Sequence, residues 1–307
     1  TKGYGPDILG YYSNDHFRLT GPFRSNIPGA YLSKFFFIVF LFTIVKLKKS
    51  KNDSLLFVPL VTLSFFLVFL TGEAMSFASI GLGLLILFLL EKKFRKKIIF
   101  SLIILFCLIF LAVKFNPIWN KIEIVEKNPW HNGTVYQINL PCKNNKNEIC
   151  KQKFETQPFF YEVLNNFSKS AYWETYNQAI TIWKDHPFFG IGIKNYTNAC
   201  KLEKYKENLR YFFCTTHPHN FYIQWLLETG VLGLLGFITL LFIWFKYFFK
   251  TISKNINPLI YAPILTLFVL FWPIMSTGSF FSNRNATMNW FIIALCLAIT
   301  NLRNKKV

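Results

Sequence analysis

Charge is scarce in the long apolar stretches of this 307-residue sequence: the blocks at 54–71, 75–90 and 258–276 contain no Asp, Glu, Lys or Arg. A path for ions or anionic lipids through a bilayer needs ionisable groups in mid-helix, so a transporter or flippase for a lipid-linked anion is disfavoured. Metal-ligand patterns are also missing. No Cys-x-x-Cys occurs, and no further cluster of His, Cys or carboxylates at ligand spacing accompanies the histidine pair near residue 218, so no metal is expected. The Gly190-Ile191-Gly192 pair lacks both a preceding strand and a third glycine, which rules out a dinucleotide fingerprint and leaves a turn. No cofactor is expected from these patterns.

What is abundant is apolar surface. Apolar residues make up 52% and aromatic residues 19%, with 37 phenylalanines, above soluble usage and gathered in blocks. The blocks run over 28–45, 54–71, 75–90, 98–115, 231–249, 258–276 and 288–302, which predicts seven membrane helices. Some are short for a span of about 20 residues, but flanking aromatics and lysines can complete them. The fold class expected is an all-α integral membrane protein. No apolar block precedes Ile27, and the chain reads as the C-terminal part of a longer membrane protein.

The net charge of +19 does not imply nucleic acid. Lys and Arg cluster in the short loops Lys46–Lys51, Glu91–Lys97 and Lys246–Lys254 and in the tail Arg303–Lys306. Alternation of helices puts all four on one side, which the positive-inside rule makes cytoplasmic. The remaining excess lies in one long loop, where it can attract anionic lipid headgroups or phosphate-bearing substrates. The expected organisation is a non-cytoplasmic loop at 1–27, four helices over 28–115, a large non-cytoplasmic loop at 116–220 and three helices over 221–307.

The large loop predicts an amphipathic helix around 170–184, with Tyr172, Trp173, Tyr176, Ile180 and Trp183 on one side and the breaker Asp185-His186-Pro187 after it. Cys107 and Cys296 sit inside apolar blocks, whereas Cys142, Cys150, Cys200 and Cys214 all fall in the loop. An even number confined to one exported loop predicts two disulfides, with local pairings Cys142–Cys150 and Cys200–Cys214, and an oxidising compartment.

The loop ends in Thr216-His217-Pro218-His219-Asn220 and passes straight into an apolar run. Asn220 suits an N-cap, because its side chain can accept from the first free backbone N–H groups. His219 then lies at the positive end of a helix, which disfavours the imidazolium and favours a neutral base beside an anion. The residues alone also allow a structural turn in which both histidines bond loop carbonyls. Three further polar groups fall on the same side by topology: Arg18 to Asn26, Gly72-Glu73, and Thr277 to Arg284. Arg18 and Arg24 sit in a Gly/Pro-shaped loop and suit phosphate recognition; Arg284 by default is an interface anchor. Glu73 in an apolar hairpin calls for an arginine partner.

In this order, Arg18-Leu-Thr-Gly-Pro-Phe23 with Asn26, Thr71-Gly-Glu73, the Trp183–Tyr196 stretch and His217-Pro-His-Asn220 with Tyr222, Glu228 and Gly230 resemble the O-antigen ligase/polymerase family of bacterial envelope glycosyltransferases. The resemblance covers most of the chain, and the histidine motif is its most specific part. It implies a multi-helix bundle of the C-type glycosyltransferase kind with a partly helical periplasmic loop, in the bacterial inner membrane. It also implies transfer of a glycan from undecaprenyl diphosphate to an acceptor hydroxyl, on lipid A-core or a growing glycan, without metal. Arg18 resembles the family's diphosphate-binding arginine and His219 its base, with His217, Asn220 and Glu73 in support. The family commonly has arginine after Gly-Glu, where this chain has Ala74, so Arg24 or Arg284 is expected to supply that charge.

Overall fold

The computed structural model describes residues 27–47, 53–115, 122–128, 133–141, 149–156, 167–205, 214–252, 258–274 and 276–304. Arg18, Arg24 and Cys142 lie outside them. The described chain forms two compact units. One holds the residues up to Ile109 with Ile238–Ser276 and those from Asn283 onward; the other holds Phe110–Phe237 and Thr277–Ser282.

Every one of the seven apolar blocks forms a helix: α1 (Ile27–Leu47), α2 (Asp53–Leu70), α3 (Ala74–Leu90), α4 (Arg95–Phe115), and, after the loop, α7 (Phe221–Ile252), α8 (Tyr261–Leu270) and α9 (Asn283–Asn304). Three stretches are long and apolar enough to cross a membrane: Pro28–Val45, Lys92–Phe115 and Phe221–Thr251. Two boundaries differ from expectation for local reasons. α8 stops at Leu270, because Pro273 pushes the residue before it out of helical conformation and cannot donate. α7 starts ten residues before its apolar run, because Asn220 caps it.

In the first unit, α8 is apolar all round and buried from Ala262 to Leu267, so it serves as the central element against which α1 and α3 pack. Buried rings connect α1 to α2 and on to Phe94: Phe36 stacks on Phe40 at 5.4 Å, Phe40 meets Phe57 edge-on at 4.9 Å, and Phe57 stacks on Phe94 at 5.1 Å. Such pairs add about 0.5–1.5 kcal/mol each beyond their buried area. α3 approaches α1 closely at Gly83, where any side chain would run into the Phe37 ring. α4 leaves Ile99, Phe100, Ile103 and Phe106 exposed, an apolar face suited to lipid.

The second unit corrects the all-α expectation. Strands β1 (Ile122–Asn128), β2 (Gly133–Pro141) and β3 (Ile149–Thr156) form an antiparallel sheet in that order, with Leu140 opposite Cys150. The signal was in the sequence: Tyr136, Ile138 and Leu140 alternate with Gln137 and Asn139 at the strand period. After the sheet, α5 (Ala171–Lys184) is capped by the Ser170 hydroxyl, which accepts from the Trp173 N–H at 3.2 Å. Its buried face is Thr175, Gln178, Ala179 and Ile182, not the aromatic side; Trp173 is exposed. Small and polar side chains fit there because Tyr196, Cys200, Tyr205 and Leu227 already fill the cluster, and the Tyr196 hydroxyl donates to Gln178 Oε1 at 2.9 Å. Cys200, one residue after the short helix α6 (Tyr196–Ala199), is joined to Cys214, with Cα atoms 5.8 Å apart.

Candidate active site at the head of a broken helix

α7 is two helical segments joined at Gly230, whose φ of 68° is left-handed and non-helical. A break inside a helix strips backbone groups of their partners, and each buried orphan is costly. Here the segment from Pro187 to Gly192 replaces them. The Ile191 and Gly192 N–H groups donate to the Leu227 and Glu228 carbonyls, both at 3.0 Å. In return, the Val231 and Leu232 N–H groups donate to the carbonyls of Pro187 (2.9 Å) and Phe188 (3.4 Å). Gly190 also has φ of 68°, and a Cβ at either glycine would strike backbone of the opposite segment. The Gly190-Ile191-Gly192 pair is thus a turn, as expected, and also the template that lets α7 bend.

Glu228 extends this arrangement inward. Its Oε2 accepts the Lys194 N–H at 2.7 Å and its Oε1 the Gln224 side-chain amide at 3.2 Å. Gln224 also donates to Ser279 Oγ (2.8 Å) and accepts from the Phe280 N–H (2.7 Å). Both side chains are 1% exposed, so every polar contact matters. Gln224 therefore holds the segment Thr277–Ser282 against the first turns of α7. Sequence reasoning counted Thr277 in a polar group and Glu228 in the histidine motif without giving either a bond, and it left Gln224 out; hydrogen bonds between segments some 55 residues apart leave no periodic trace.

The same segment fixes the histidines. The Thr277 N–H donates to the His219 carbonyl at 2.8 Å, and His217 Nε2 lies 3.0 Å from the Thr277 carbonyl. A carbonyl only accepts, so Nε2 carries the proton; Nδ1 must then accept from the Thr216 hydroxyl at 2.9 Å. Both nitrogens of His217 are committed. His219 is different. Its backbone is left-handed (φ 57°), which for a residue with a Cβ costs about 1 kcal/mol or more. That strain turns its ring to lie 4.2 Å from His217 and 6.4 Å from Tyr172, centroid to centroid. Burial pushes the His219 imidazole down to about 4, the electrostatic effect of the neighbouring His217 adds to this, and the Thr277 backbone opposes it. His217 is lowered too, by burial first. The neutral state of His219 expected from the sequence is present, but burial sets it before any helix dipole.

Asn220 Oδ1 accepts from the N–H groups of Tyr222 (2.9 Å) and Ile223 (3.2 Å), a two-bond cap. Tyr176 of α5 also bonds the Asn220 side chain, and burial pushes its phenol up to about 12. A strained, neutral, half-buried imidazole on a rigid cap can take a proton from a substrate hydroxyl.

The other expected site residues belong to the first unit or lie outside the described residues. Glu73 precedes α3 in the first unit, beside Gly29 of α1. Arg284 is in the same unit, with its guanidinium 5.6 Å from the Tyr31 ring centre. Arg18 and Arg24 lie outside the described residues, as does Cys142 of the expected Cys142–Cys150 pair.

No curated protein matches the chain. A family match does cover it from α2 to α7, residues 59–238, taking in Glu73, Gly190, Gly192, His217, His219, Glu228 and Gly230. That is more than half of the 307 residues, and it spans every segment that builds the histidine site except Thr277–Ser282. The chain is a membrane protein and belongs to the O-antigen ligase family.

Proposed function

We propose that this chain is an inverting, metal-independent glycosyltransferase that moves a glycan from undecaprenyl diphosphate to an acceptor hydroxyl at the periplasmic face of the bacterial inner membrane. Lipid A-core is the acceptor this reading favours, which makes the chain a ligase; a growing glycan or a protein would make it a polymerase or a protein O-oligosaccharyltransferase. The observation that carries the reading is the division between the two histidines: His217 is locked by two hydrogen bonds, while His219 is neutral, half-buried and strained into place.

The chemistry needs little more. The acceptor oxygen attacks the anomeric carbon as the bond to the diphosphate breaks; the bonding pair leaves on the diphosphate, and His219 takes the hydroxyl proton. Attack opposite the leaving group inverts the centre. Arg18, Arg24 and Arg284 are assigned to the diphosphate, whose developing charge a guanidinium can match bidentately, and Glu73 to orienting one of them. An imidazole at about 4 is a weak base in the empty site. A diphosphate nearby favours its charged form and raises it, so donor binding itself prepares the base.

Transfer measured for His219→Ala and His217→Ala in the same membranes tests this. His219→Ala should lose about 10²–10⁴-fold in rate with expression and donor binding near normal, and His217→Ala should lose less. A dead His217→Ala beside an active His219→Ala reverses the assignment; two active variants end the general-base reading. Arg18→Lys should weaken donor binding as well, since an ammonium lacks the bidentate fork. Envelope glycans from a deletion strain separate the acceptors: bare lipid A-core means ligase, single repeats mean polymerase.

A further inference from the structure

Lys34 is the sole charged residue of the apolar stretch Pro28–Val45, two turns into α1. A cation so placed is expensive and by default marks a function. Its ammonium donates to Asn289 Oδ1 of α9 at 3.2 Å. Among the described residues no carboxylate pairs with it; the two ion pairs there are Lys93–Glu91 and Lys204–Asp185. The next charge is a second cation: Arg284, in the first turn of α9, lies over Tyr31, one turn before Lys34, close enough for the two charges to repel. Asn289 is fully buried, and its amide Nδ2 is a donor with no partner. Tyr31 with Arg284, Lys34 with Asn289 and Phe35 with Phe291 thus meet in step, so α1 and α9 run side by side in the same direction. Beside them Asn283, Arg284, Thr287, Met288 and Phe291 line a cavity of about 460 Å³.

Two cations and an idle amide N–H leave this place rich in donors and short of acceptors. The group runs from exposed Arg284 through half-buried Lys34 to fully buried Asn289, an opening from the surface inward. An anion there offsets the cost of the partly buried cation and the orphaned amide. Phosphate oxygens fit, since they accept several charge-assisted hydrogen bonds at once. We infer that Lys34, Arg284 and Asn289 form a binding site for the phosphate group of a membrane lipid. The apolar surroundings of the helices suit a lipid better than a soluble ion. The lipid is either the polyprenyl diphosphate donor or a phospholipid headgroup; only the first identity rests on the transferase reading given above.

The test uses the full chain in maltoside micelles, which carry no phosphate, with bound lipid read by native mass spectrometry. Undecaprenyl diphosphate and phosphatidylglycerol are added separately and in competition. Wild-type chain should retain at least one of them. Lys34→Met and Asn289→Asp should each weaken that lipid about 10-fold or more, and Lys34→Arg should restore it, which separates loss of charge from loss of fold. If undecaprenyl diphosphate wins the competition, the site serves the donor; if phosphatidylglycerol wins, it holds a headgroup. Retention unchanged in Lys34→Met and Asn289→Asp, or no lipid bound by wild type, overturns the inference. Because binding is read without transfer, a chain that binds but transfers nothing ends the transferase reading and leaves this site standing.

Discussion

The histidine segment and the α1/α9 pair are both polar places in an apolar protein, and they handle hydrogen bonds in opposite ways. Around His217 the groups that set the geometry are satisfied within the chain (two ring nitrogens, the bent helix, the Gln224 amide and the Glu228 carboxylate), while the unpartnered atoms nearby, Thr277 Oγ1 and Trp225 Nε1, carry no charge and stand beside no cation among the described residues. Around Lys34 one ammonium meets one side-chain oxygen, a second cation stands near, and the amide N–H of Asn289 has no partner. Matched groups hold a geometry, and unmatched groups wait for a ligand. The contrast separates positioning from binding more sharply than residue type does, since histidine and lysine both pass for either.

The contrast can be broken most severely at Gly230. Gly230→Ala puts a Cβ against the Phe188 carbonyl at a left-handed φ, and backbone on both sides leaves nothing soft to move. We expect a loss of about 3 kcal/mol or more, read as a fall in the unfolding midpoint in detergent together with loss of transfer; an unchanged midpoint would mean that α7 is not bent there. Gly83→Ala is its counterpart in the first unit. There the obstacle is the Phe37 ring, which can shift, so overpacking should cost about 1–3 kcal/mol and leave the histidines intact.

Acid should act on the matched region with comparable size. His217 and His219 are both lowered in the folded chain, so the unfolded chain binds more protons. Their contribution is therefore complete above about 6.5 and is lost as pH falls from there toward about 4. His219→Asn should flatten the unfolding midpoint across that window, and an equally steep profile in the variant would place the titration elsewhere. Asn220→Ala is the mildest test: loss of the cap should cost about 1 kcal/mol in unfolding experiments, with little change in lipid retention.

Much of this was legible in the sequence where the signal is local. Apolar runs located the helices, Asn220 announced its cap, and the spacing of Cys200 and Cys214 pointed to their pairing. What escaped was long-range or cut against the bulk pattern. The docking of Gly190-Ile191-Gly192 onto Leu227–Leu232 joins segments about 40 residues apart through backbone atoms, which carry no residue code. The fully buried residues of α5 escaped notice because the aromatic residues outweigh Ala179 and Thr175 in any count of hydrophobicity; the aromatic side packs only in part, Trp183 against the cluster and Tyr172 beside His219. Lys34 was hidden by its setting: a single lysine in an apolar block looks like tolerance until Asn289 and Arg284 are seen beside it.

The dependence of the histidines on Thr277 also sets an order of events during synthesis. His217 Nε2 and the His219 carbonyl meet residue 277, and Gln224, besides Glu228 on its own helix, meets residues 279 and 280. A growing chain therefore inserts the histidine motif before the groups that shape it have been made. Until the ribosome passes Phe280, the histidine pair lacks the backbone contacts that Thr277 supplies, and the segment at the head of α7 is not yet in its final geometry.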